Sequence, residues 1–151
     1  MSRTKWILLV IVAVFMVIQV VRPDLTNPPV NPRNAIQNVP PNVQAILQRS
    51  CYDCHSSQTR WPWYAQVAPL SWLLKHDVDE GRQELSFSEF ATYSPKKAAR
   101  KMQKACEEVK GGDMPLMQYL PLHPDARLSD ADRQTLCTWA TAEQQRLVAA
   151  R

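Results

Sequence analysis

Six of the chain's twelve prolines, Pro23, Pro28, Pro29, Pro32, Pro40 and Pro41, fall in the twenty residues from Arg22 to Pro41, among only scattered apolar residues. Such a segment cannot supply a core and favours extended polyproline II, so it divides the chain in two. At ~3.1 Å per residue it would act as a semi-stiff spacer reaching roughly 60 Å. Everything that folds around one core must then come from residues 42–151. That length suits a single domain and excludes a large barrel or a doubly wound sheet with a second domain.

Upstream of the prolines, Trp6–Val21 (WILLVIVAVFMVIQVV) is a 16-residue apolar run broken only by Gln19. As a helix it would extend roughly 24 Å, a little short of the ~30 Å hydrocarbon core. Arg3, Lys5 and Arg22 flank it and can reach headgroups to close the gap. A cleaved secretory signal is the competing reading, yet Gln19-Val20-Val21-Arg22-Pro23 offers no small residues for a cleavage site. The expected layout is a cytoplasmic 1–5, a single transmembrane anchor over 6–21, a Pro-rich linker over 22–41 and a domain over 42–151. Positive residues before the run send the domain across the membrane.

Charge supports topology rather than nucleic-acid binding. The formal net charge is +4, but residues 42–151 carry 14 Lys+Arg against 13 Asp+Glu. A domain so nearly neutral lacks the basic footprint a nucleic-acid partner requires.

Within the domain the apolar spacing is helical. Asn42 reads as an N-cap, with Val43, Ile46, Leu47, Cys51 and Cys54 following on one face. A second helix is expected over Leu70–Glu80, ending at Gly81. Ser94-Pro95 opens a third over Lys96–Lys110, stopped by Gly111-Gly112, with Ala98, Met102, Ala105, Cys106 and Val109 inward. Ser129 with Asp132 forms a capping box for a last helix over Asp130–Ala149, with Leu136, Trp139, Ala140 and Leu147 inward. No segment alternates with period two. The expected class is all-α with long loops, and its core is thin enough that a large apolar cofactor would supply missing buried surface.

Cys51-Tyr52-Asp53-Cys54-His55 is the CxxCH attachment signature of c-type haem. Cysteines three apart share one side of a helix, so each thiol can add to one porphyrin vinyl group, and the following histidine can offer a nitrogen to iron. A zinc knuckle would need a second ligand pair, but Cys106 and Cys137 are 31 residues apart without a histidine companion. A thioredoxin-like motif would need a βαβ setting.

The blocks CYDCHSSQTRWPWYAQVAPLSWLLKHDVDEGRQELSFSEF and GGDMPLMQYLPLHPDARLSDADRQTLCTW resemble the small membrane-anchored haem-binding domain proteins of bacteria. The resemblance covers about 42–140. It implies a cytochrome c-like fold, a periplasmic site on a single-pass inner-membrane protein and one covalent haem c.

The distal ligand is read from the residues. Met114, in a loop between Gly111-Gly112 and Pro115, is favoured, since a loop thioether is a common partner to histidine. Met117, His76 and His123 are alternatives, as is an open iron, while Met102 reads as core. Arg60, Trp61, Tyr64 and Arg82 are candidate donors to a haem propionate, and Trp61, Trp63, Tyr64 and Trp72 otherwise wall the crevice. Cys106 and Cys137 are either a disulfide or two buried thiols. Lys96, Lys97, Arg100, Lys101 and Lys104 form a one-sided stripe, either a solvated face or a docking patch.

These residues point to a membrane-anchored monohaem cytochrome that passes single electrons to an unidentified redox protein. No nucleophile or acid–base pair emerges, so an electron carrier is expected rather than an enzyme. A haem sensor or peroxidase-like protein with an open or exchangeable distal site is the alternative. A third class is an anchored interaction module in which CxxC is a disulfide.

Overall fold

A computed structural model describes residues 2–149. Met1 of the expected cytoplasmic N-terminus and the last two residues of the domain lie outside that range. Six α-helices follow in order: α1 (Arg3–Ile18), α2 (Pro41–Ser50), α3 (Tyr52–His55), α4 (Leu70–Glu84), α5 (Pro95–Gly111) and α6 (Asp130–Ala149). Three 3₁₀ turns join them, and no strand occurs among the described residues. The protein is all-α.

Local chemistry sets the helix ends. Ser94 caps α5 by accepting from the Lys97 amide, Pro95 fills the first helical position, and Gly112 leaves the helix at φ +84°. That left-handed backbone favours glycine. Ser129 and Asp132 cap α6 reciprocally: Ser129 Oγ accepts from the Asp132 amide at 3.1 Å, and Asp132 Oδ2 accepts from the Ser129 amide at 2.9 Å.

Two helices depart from expectation. Asn42 is not a cap, because Pro40 and Pro41 already set the entry to α2. The helix also does not run through the CxxCH: it stops at Ser50, Cys51 sits at φ −128°, and a new turn begins at Tyr52. α4, conversely, passes through Gly81 to Glu84.

The core gathers Val43 and Leu47 of α2, Phe87 and Phe90 of the turn after α4, Met102 of α5 and Leu136 of α6. α5 and α6 make the most extensive helix pair, with α2 set against α6, and are bonded through a Cys106–Cys137 disulfide whose Cα atoms lie 4.8 Å apart.

The proline-rich segment is not the stand-off spacer its composition predicts. The Ile36 amide donates to Phe87 O and the Ala91 amide to Asn34 O, both at 2.8 Å, while Ile36 and Val39 pack on the core. Asn27 donates to Thr59 O at 2.9 Å. Proline composition excludes a core of the segment's own, but leaves it free to lie on a neighbour's.

α1 exposes apolar side chains on every side and buries none. Its 16 residues begin three before the expected anchor and cover that anchor only from Trp6 to Ile18, and no described helix is long and apolar enough to cross a membrane. Its end is tied to the domain: the Gln19 amide group bonds both Ala68 O (3.1 Å) and Ala68 N (2.9 Å), and Trp72 Nε1 donates to Val21 O at 2.7 Å.

Candidate functional site

Between α3, α4, α5 and α6 lies a cavity of about 830 Å³, within the ~300–1,000 Å³ usual for ligand clefts. Leu85, Phe87, Val109, Leu128, Leu136 and Trp139 give it an apolar lining. Cys51, Cys54, His55 and Met114 all border it.

The motif is held against this cavity from three sides. Asp53, the spacer between the cysteines, accepts from the Arg60 amide (2.9 Å), the Arg60 guanidinium (2.9 and 3.1 Å) and Tyr119 Oη (2.9 Å). Burial works to raise its carboxyl pKa, but these bonds outweigh it and hold the group below its ordinary value. The following turn is pinned by Thr59 Oγ1 donating to Asp53 O at 2.7 Å and Ser56 Oγ donating to Tyr52 O at 2.7 Å. α4 presses on the other side at Gly81, where an added Cβ would stand 2.8 Å from Cys54 O.

His55 Nδ1 lies 2.9 Å from Leu85 O. A carbonyl can only accept, so Nδ1 carries the proton and Nε2 keeps its lone pair, the tautomer a metal-ligating imidazole needs. Burial, above all, holds the His55 pKa down and keeps the ring neutral. Cys51 and Cys54 are free thiols, pushed up to about 12, chiefly by burial. They are not joined as the interaction-module reading requires. Nor do the described residues contain a cluster of three or more His, Cys, Asp or Glu able to hold a metal ion, the ligand set a zinc knuckle would need.

Of the distal alternatives, Met114 alone borders the cavity. It packs partly against the core, on the loop that leaves the Gly112 cap, with its amide donating to Glu108 O. Met117 is 83% exposed. His76 faces solvent beside Glu80, at 3.6 Å. His123 stacks on Tyr119 with ring centroids 3.8 Å apart and contacts Tyr64 Oη.

The expected propionate donors are not brought to the cavity. Arg60 is bound to Asp53, and Arg82 donates to Ser56 O, Thr59 Oγ1 and Asn27 Oδ1 at 2.8–2.9 Å. Tyr64 meets His123, and Trp61 keeps a buried Nε1 without a partner. Instead the basic stripe of α5 forms part of the cavity rim. Sequence reading missed Gly81 as a contact and Tyr119 as the partner of Asp53. The glycine, three positions before the end of α4, read only as a helix stop, and Tyr119 gave no signal.

Two half-buried thiols, an imidazole with a free Nε2 and a loop thioether around one apolar cavity fit a haem. The chain belongs to the haem-binding domain family, whose model matches residues 13–142. No curated protein and no solved structure matches it.

Proposed function

We propose that the protein is a monohaem c-type cytochrome, anchored in the bacterial inner membrane, that passes single electrons on the periplasmic side. The observation that carries this reading is the convergence of Cys51, Cys54, His55 and Met114 on one apolar cavity, with His55 locked in the ligating tautomer by Leu85 O. Cys51 and Cys54 would hold the macrocycle through thioether bonds, and His55 and Met114 would be the residues offered to its iron. Haem supplies a reversible one-electron couple at iron. The protein's part is to fix the ligands, exclude water with apolar walls and raise the potential through the thioether. The Cys106–Cys137 disulfide accords with an oxidising compartment. The apolar surface of α1 from Trp6 to Ile18, with Arg3 and Lys5 in its first turn and Arg22 beyond its end, supports anchorage.

The test is an absorption spectrum of the full chain exported with haem-attachment machinery, followed by acid–acetone extraction. Haem that stays with the polypeptide, and is lost in Cys51→Ser/Cys54→Ser, is the expected result for attachment. A weak far-red sulfur-to-iron band in the oxidised form, absent in Met114→Ala, is expected for the ligand pair. A high-spin spectrum that shifts with cyanide would instead establish an open iron and the sensor or peroxidase-like reading. Extraction of the chain from membranes by alkaline carbonate would refute the anchor.

A further inference from the structure

We propose that Lys97, Arg100 and Lys101, on the α5 side of the cavity mouth, receive the two haem propionates, an inference that rests on this cavity being the haem site. A haem is an apolar disc with two carboxylates along one edge, so an apolar cavity must offer that edge cations or water. The rim here is two-sided. α4 contributes Asp77, Glu80 and Glu84, which repel carboxylates, and α5 contributes the lysines and arginine. The spacing of 97, 101 and 104 places three of these cations along one helical face.

Pairing separates the cations further. Lys104 is already engaged by Glu84 at 3.0 Å. Lys97, Arg100 and Lys101 form no ion pair with a carboxylate among the described residues. Lys101 donates to Glu84 O and Gln83 O, and its ammonium lies 5.1 Å from the centroid of Tyr93, the ring that also has Lys97 at 5.0 Å. Two rim cations thus crowd one aromatic ring that does not itself line the cavity. Burial, and next to it the like charge of Lys97, hold the Lys101 pKa below its ordinary value against the opposing pull of Glu84. Asp53 is engaged by Arg60 and Tyr119, and Glu108 stands about one turn beyond Lys104 on the same rim. Carboxylates arriving near the start of α5 would also meet the positive end of its dipole.

The experiment titrates the full chain, thiols reduced and before attachment, with haemin and with haemin dimethyl ester, which lacks the carboxylates, following the Soret band. The wild type is expected to favour the diacid by about tenfold. In Lys97→Gln/Arg100→Gln/Lys101→Gln that preference falls to parity while ester affinity stays unchanged, which shows an intact cavity. Removing three remote charges, Lys5→Gln/Arg33→Gln/Lys110→Gln, leaves the preference as it was. Should the triple rim variant fail to fold, Lys97→Gln carries the test, with the preference expected to fall about threefold. The inference is overturned if the wild type shows no preference, if the rim variants keep it, or if the remote variant loses it equally. Failure of both haemin and its ester to bind would instead overturn the haem-site reading, a distinct result.

Discussion

Gly81 shows how one missing side chain places a cofactor motif. It is buried inside α4, where its Cα faces the backbone of Cys54. In an open helix, replacing glycine by alanine is favourable by up to about 1 kcal/mol. Here the new Cβ would stand 2.8 Å from Cys54 O and 3.1 Å from Cys54 Cβ, and neither can swing away. Gly81→Ala is therefore expected to destabilise the fold by roughly 1–3 kcal/mol, the usual range for overpacking. It should also push α3 outward and reduce the fraction of chain carrying attached haem. Gly111→Ala is the control, since its Cβ would meet only the movable carboxylate of Asp113. Urea unfolding and haem yield per chain measure both effects. The residue scale also marks a limit of sequence reading. The five letters of CxxCH announce the chemistry, but Gly81 looked like a helix stop because a close approach leaves no mark on spacing.

At the scale of elements, the junction of α2 with α6 is electrostatic. Arg49 on α2 bonds Asp132 Oδ2 at 2.7 Å and the carbonyls of Asp125 and Arg127 at 2.9 and 3.0 Å. Burial works to raise the Asp132 carboxyl, but hydrogen bonds from Arg49 and Ser129, with the Arg49 charge, outweigh it and hold the group at about 2. A pKa lowered by folding from 3.8 means the folded state holds the proton less well than the unfolded chain. The stabilisation is therefore complete above about pH 4 and is lost as pH falls through about 2. Asp132→Asn should lower stability at neutral pH, with the difference from wild type vanishing by about pH 2. Ser129→Ala should cost about 1 kcal/mol at all pH values above that window, the usual worth of an N-cap. Chemical denaturation across pH 2–7 checks both. This cap was legible because its two partners sit three residues apart. The break of α2 at Cys51 was not, since the apolar spacing runs unbroken across it while the backbone turns.

The whole molecule depends on contacts between parts distant in sequence. The proline-rich segment lies on the domain through backbone bonds such as Ile36 N to Phe87 O, which composition does not encode. The all-α class and the places of α4, α5 and α6 were legible, because periodicity and caps are local. The Cys106–Cys137 pairing was not, because spacing says nothing of the 4.8 Å that separates their Cα atoms. That bond closes a loop of 31 residues containing Met114 and couples α5 to α6, both of which wall the cavity. In the chain-entropy description, closing such a loop is worth roughly 3–4 kcal/mol. Cys106→Ala/Cys137→Ala should lose most of that in urea unfolding, and wild type under reductant should approach the variant. Met114 lies on the loop the disulfide closes, so the loosened protein should also bring the thioether to the cavity less constantly. A weaker far-red band in the variant, at equal haem content, is the expected signature. An unchanged band would mean that the Gly112 cap and the core contacts of Met114 fix the loop without the disulfide.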